Sequence, residues 1–175
     1  MTFPEPPEQF DDAPIAYMAR TRDWYLRLGY DNPYRWAHFA DAPFTLLREP
    51  LARTRLALVT TAAPFDPAKG DQGPGAAYNA AAKFYEVYAR TFDGPHDLRI
   101  SHIAYDRARN RADDPESWLP LAALRAAFAA GRALPAAHLY GLPTNRSQAR
   151  TQEVDAPELA ARMRADGVEA AIFVP

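Results

Sequence analysis

Apolar residues recur along the chain at two different spacings, and the two alternate. "RLALVTTAA" (55–63) is an apolar, β-branched run stopped by Pro64, which predicts a strand near 55–61. Similar runs in "DLRISHIAYD", "AAHLYG" and "VEAAIFV" predict strands near 98–103, 136–140 and 168–174. Segments of helical length lie between them. "AAYNAAAKFYEVYARTF" predicts a helix over 76–92, and "LPLAALRAAFAAG" one from about 119 to 130, closed by Gly131. In "DAPELAARMRADG", Asp155 is the expected N-cap, with Glu158 three residues on as in a capping box. Pro157 falls in the first turn of that helix and Gly167 at its stop. Ahead of the first strand, "PIAYMARTRDWYLRLG" carries an apolar stripe of Ile15, Met18, Trp24, Tyr25 and Leu28 and ends at Gly29.

Strands alternating with helices predict an α/β domain, its mainly parallel sheet covered by helices on both faces. The expectation is a flavodoxin- or Rossmann-like domain over 14–175 with a helical N-terminal extension, preceded by a flexible arm at 1–13. The irregular "YDNPYRWAHFADAPF" is expected to pack its aromatics beneath a loop.

Composition narrows the function classes. The 175 residues suffice for one domain with a sizeable core. A net charge of −2 gives no reason to expect nucleic acid or an anionic membrane as partner. The acidic, Pro-rich "MTFPEPPEQFDD" is unlike a signal peptide, and no apolar run approaches a membrane span, so the cytoplasm is the expected location. With no cysteine, these residues offer no disulfide, thiolate metal site or Cys nucleophile.

Candidate chemistry gathers where strands end, because an α/β sheet collects functional groups at its C-terminal edge. In "SHIAYDR", Ser101, His102, Tyr105 and Asp106 follow the second strand. His102 can shuttle a proton near neutral pH with Asp106 orienting it. Alternatively, His102 caps loop carbonyls and Asp106 pairs with Arg107 or Arg109. Thr60 and Thr61 end the first strand, where their hydroxyls would hold a small carboxylate or cap the loop. Thr144, Asn145 and Arg146 follow the third strand, and arginine suits a planar carboxylate. The glycines of "GDQGPG" match neither a dinucleotide fingerprint nor a P-loop. His38, His96 and His138 lack metal-ligand spacing, and His138 reads as a satisfied core or rim residue. No G-x-S-x-G elbow is present.

Taken in order, "PYRWAHF", "RLALVTTAAPF", "KGDQGPGAAYNAAAKFY", "DLRISHIAYDR", "YGLPTNRSQ" and "DGVEAAIFVP" resemble the glycine/sarcosine/betaine reductase component B family, selenoprotein B and its cysteine relatives, including a D-proline reductase branch. The resemblance implies a substrate-activating reductase component. In it a selenolate or thiolate attacks the carbon bearing an amine and displaces it, and a second protein receives the carbon fragment; the enzyme type is the one named for a disulfide as acceptor. The family's Sec/Cys motif follows the "V-P" that closes the last strand. The redox residues are therefore expected beyond Pro175, and the chain is expected to be truncated; none lies within it. The resemblance makes His102 a general acid for the leaving group, oriented by Asp106. Ser101, Tyr105, Thr60, Thr61, Thr144, Asn145 and Arg146 would surround the substrate. Partners would be a small amino-acid-like substrate and other reductase subunits, and the exposed last strand invites self-association. The alternative is a non-catalytic subunit or binding module of the same fold that works through a partner protein.

Overall fold

The computed structural model of the chain describes residue 14 and residues 16–30, 37–73, 75–100, 113–143 and 147–174. Two compact units divide between Pro43 and Phe44. The helical segment expected to open a 14–175 domain therefore falls in a unit of its own. There α1 (Tyr17–Arg27) runs to Gly29, whose φ of 84° allows the chain to turn away, and buries none of its residues.

The second unit carries β1 (Arg55–Thr60), β2 (Ala63–Pro64), β3 (Tyr88–Thr91), β4 (Leu98–Arg99) and α2 (Leu121–Ala129). Then come β5 (Leu134–Pro135), β6 (His138–Gly141), α3 (Gln148–Arg150), α4 (Ala156–Ala165) and β7 (Ala170–Val174). Leu56 through Thr60 are all buried, so both faces of β1 are covered. The carbonyls of Thr54, Leu56 and Thr60 accept from Leu134, Ala136 and Leu142, whereas that of Arg55 accepts from Glu169. This alternation puts β5 and β6 one after the other along one edge of β1 and β7 along the other. All three run parallel to β1, in register from Leu56↔Ala170 to Thr60↔Val174 and at Thr60↔Gly141. The result is a mixed, mostly parallel sheet with helices packed on it, an α/β arrangement. Leu121, Leu124 and Leu159 of the helices join Leu56, Leu58, Val59, Leu139 and Tyr140 in one core.

Several expected elements differ. The helix over 76–92 is absent: Ala80–Ala82 form one 3-10 turn and Tyr88–Thr91 form β3. β3 pairs antiparallel with β6 from Tyr88↔Gly141 to Thr91↔His138. This long-range pairing of aromatic and β-branched residues overrides the helical preference of the alanines. Of the strand expected near 98–103, residues 101–103 lie outside the described residues; Leu98–Arg99 form β4, which pairs antiparallel with β2 outside the main sheet.

Asp155 is not an N-cap. Its backbone is already helical, at φ −68° and ψ −44°, and the residue is buried. The helix begins earlier, where the Ser147 hydroxyl accepts from the Arg150 N–H at 3.2 Å. Pro157 has no N–H and would crowd the carbonyl four residues back, and a π turn over Thr151–Asp155 opens the helix where it does so. Phe39 and Phe44, expected beneath a loop, are exposed.

At the end of β6, a Cβ added to Gly141 would lie 1.8 Å from the Tyr88 ring. Gly141→Ala is therefore expected to destabilise the fold by about 1–3 kcal/mol, read as a lower urea midpoint. An unchanged midpoint would contradict this packing.

A candidate site at the C-terminal edge of the sheet

The parallel register brings the ends of β1, β6 and β7 to one edge: Thr60 lies beside both Gly141 and Val174. The chain leaves this edge in loops after β1 and β6, the position of ligand sites in α/β sheets. Pro175, Ser101, His102, Tyr105, Asp106, Thr144, Asn145 and Arg146 lie outside the described residues.

Thr60 and Thr61 can be placed. Thr60 is 1% exposed; its hydroxyl donates to the Trp118 carbonyl at 3.3 Å and accepts from the Ala62 N–H at 3.1 Å. That hydroxyl joins two loops to the strand and has no donor left for a ligand. Thr61 is half-buried and donates its N–H to the Val174 carbonyl at 3.3 Å. Its hydroxyl, unlike that of Thr60, makes no hydrogen bond to a described residue. The Tyr88 hydroxyl donates to the Ala62 carbonyl at 2.6 Å, and burial pushes its pKa upward, so it remains a neutral anchor.

Two further polar residues lie buried in the loop that leaves this edge after β2 and returns to it at β3. Gln72 is 8% exposed, and neither its amide oxygen nor its amide nitrogen has a hydrogen-bond partner among the described residues. Lys83 is 6% exposed. Its side chain makes no ion pair or hydrogen bond to a described residue. The Trp118 indole nitrogen is likewise enclosed without a partner. The sequence held a clue to Lys83, a single charge inside the apolar run "AAAKFY". Nothing in the pattern distinguished Gln72.

A second polar cluster serves the fold. His138 and Tyr140, two apart on β6, share one face of the strand. The His138 Nδ1 lies 2.6 Å from Oδ2 of Asp166, and the Tyr140 hydroxyl donates to the same oxygen. Asp166 caps the C-terminal end of α4, so the cluster fastens that helix to β6. The Tyr140 bond first, and the His138 bond after it, hold the Asp166 carboxyl below its usual pKa. Burial, followed by the Asp166 hydrogen bond, raises the Tyr140 phenol. Burial lowers the His96 pKa, and the Arg125 and Arg90 charges add to the effect. Among the described residues, no cluster of His, Asp and Glu could hold a metal ion. A groove of about 330 Å³ between α4 and β7, lined by Leu142, Leu159, Met163, Val168 and Phe173, has Arg164 as its only charged residue. It suits an apolar surface better than a charged ligand.

The Asp166 cluster has a pH signature. A carboxyl whose folded pKa is lowered stabilises the fold fully above its unfolded value, and that contribution is lost as pH falls through the folded value. Asp166→Ala also leaves the Tyr140 hydroxyl buried without its acceptor. It is expected to destabilise by about 1–3 kcal/mol at pH 7, the difference narrowing below about pH 4. Denaturant unfolding across this range checks it; a pH-independent difference would remove the carboxylate from the account.

Compared with family models, with curated proteins and with solved structures, the chain matches none.

Proposed function

We propose that the chain is the substrate-binding part of an oxidoreductase of the glycine/sarcosine/betaine reductase type, acting on a small amino-acid-like substrate. The observation that carries the reading is the meeting of the β1, β6 and β7 ends at one edge, next to a loop with buried, unpartnered polar groups. Residues 101–112 and 144–146, which include His102, Asp106 and Arg146 and lie outside the described residues, belong to the same reading. The chain has no cysteine, so the thiolate or selenolate nucleophile comes from outside these 175 residues. In the reaction the nucleophile forms a bond to the substrate carbon, the C–N bond breaks, and His102 supplies the proton that leaves with the amine. One sulfur of a dithiol then attacks the nucleophile's sulfur or selenium, the bond from that atom to carbon breaks and the carbon takes up a proton, and the second dithiol sulfur displaces the nucleophile as the disulfide forms. The flavodoxin- or Rossmann-like form of the sheet, the helical N-terminal extension, a cytoplasmic location, self-association and other reductase subunits as partners belong to this proposal.

The lack of cysteine favours a second reading, a binding module that keeps the fold and acts through a partner chain. Activity separates the two. The product of the complete gene, given a dithiol and glycine, sarcosine, betaine or D-proline, is expected to consume one of them, as followed by proton NMR. His102→Ala should lower kcat about 10²-fold if it supplies general acid catalysis. No consumption, together with a stop codon directly after Pro175, would leave the binding module.

A further inference from the structure

The helix that follows β6 has two beginnings in its sequence, and the structure uses only the first. Ser147 starts it: its hydroxyl accepts from the Arg150 N–H at 3.2 Å and its carbonyl from the Thr151 N–H at 3.1 Å. Asp155, Pro157 and Glu158 form a second start, with a capping carboxylate, a first-turn residue that lacks an N–H and the capping-box acid three residues on. That start is idle. Asp155 makes no capping bond, and Glu158 accepts instead from Arg162 at 2.6 Å.

Running the helix through its second start is unfavourable in two ways. The Ala156 N–H reaches past the normal acceptor to the Thr151 carbonyl, which makes the π turn. Asp155 and Leu159, four residues apart, share the face that packs on the core, so a carboxylate is carried inside with the leucine. Asp155 is 3% exposed, and its Oδ2 has no hydrogen-bond partner among the described residues. A carboxylate oxygen enclosed and unpaired is strongly unfavourable.

Little offsets these terms. None of residues 147–154 is buried, and only Thr151 and Val154 are half-buried. A helical stretch with so few apolar contacts lies at the low end of local stability. Unwinding it lets the Asp155 carboxylate turn out to water and accept from the Glu158 N–H. α4 then has the N-terminus its sequence encodes, while Leu159 still holds it on the sheet.

We infer that residues 147–154 form a two-state strap at the C-terminal edge, either helical as in this structure or unwound with Asp155 capping α4. Leu142, whose N–H donates to the Thr60 carbonyl at that edge, precedes Ser147 by only a few residues. A ligand at the edge that contacts one state alone shifts the balance by its preference for that state. The strap is independent of which substrate the edge takes.

Native-state hydrogen exchange of the whole chain, read by amide NMR, tests it. The amides of Thr151 and Ala156 are expected to exchange about a hundred-fold or more faster than those of 161–165 within α4. Asp155→Ala removes both the enclosed carboxylate and the alternative cap. It should slow exchange at Ala156 about ten-fold and leave the Tm equal or higher. Ser147→Ala removes the cap of the helical state and should speed exchange at Ala156 several-fold, with 161–165 unchanged. Equal exchange at Thr151, Ala156 and 161–165 overturns the inference, because the strap then opens only with the whole unit. Faster exchange or a lower Tm in Asp155→Ala also overturns it, since the carboxylate then serves the helical state. Exchange untouched by Asp155→Ala reduces the strap to a fraying end and removes the second state. Activity plays no part in these readouts, so their failure is distinct from failure of the reductase reading.

Discussion

β1 is hydrogen-bonded along both edges while both its faces are covered, and the rest of the second unit is arranged around that condition. Such a strand accepts a polar side chain only where backbone satisfies it: Leu56-Ala57-Leu58-Val59 supplies none, and the Thr60 hydroxyl is bonded to backbone. Its carbonyls point alternately to the two neighbours, which fixes β5 and β6 on one side and β7 on the other. Because the neighbours are parallel, their ends share an edge. The position of any site follows from the pairing of β1 before a single functional residue is considered.

That edge divides its polar groups into two kinds. The Thr60 and Tyr88 hydroxyls are satisfied by backbone and hold loops against the strand ends. Gln72 is buried with neither amide atom bonded to a described residue. A buried group that binds its own fold is removed from ligand chemistry; one that does not is stabilised only by something that arrives later. The His138–Tyr140–Asp166 cluster belongs to the first kind, with its charges and hydrogen bonds spent on keeping α4 in place.

The sequence made some of this legible and hid the rest, for physical reasons. β1, β6, β7, α2 and α4 stand out because burial imposes a period on their residues, and their ends, the start of α4 excepted, lie within a few positions of expectation. β3 did not stand out, because an alanine-rich stretch gives no sign that the free edge of β6 will recruit its far end. The start of the α4 helix was misplaced because Asp155 and Pro157 imitate a helix beginning, while a π turn lets the helix run through them. At the site, Thr60 was found for its position at a strand end, but position does not show whether a hydroxyl is already bonded. Lys83 was overlooked because an isolated lysine reads as a solvated face unless burial is known.

The closing of β1 also sets an order on events as the chain is made. Its last neighbour is distant in sequence: the Arg55 N–H donates to the Glu169 carboxylate across a separation of 114 residues. A ribosome that has released β1 must add α2, β6 and α4 before β7 exists to cover the remaining edge. Pairing at such separation is slow, because the loop entropy is lost before the contacts form. Through that interval the most deeply buried strand of the unit presents a bare row of amides and carbonyls, an invitation to a neighbouring nascent chain. The feature that makes the finished sheet secure is thus the one that leaves its biosynthesis exposed, and chaperone demand for this chain will be concentrated in the time before residue 170 emerges.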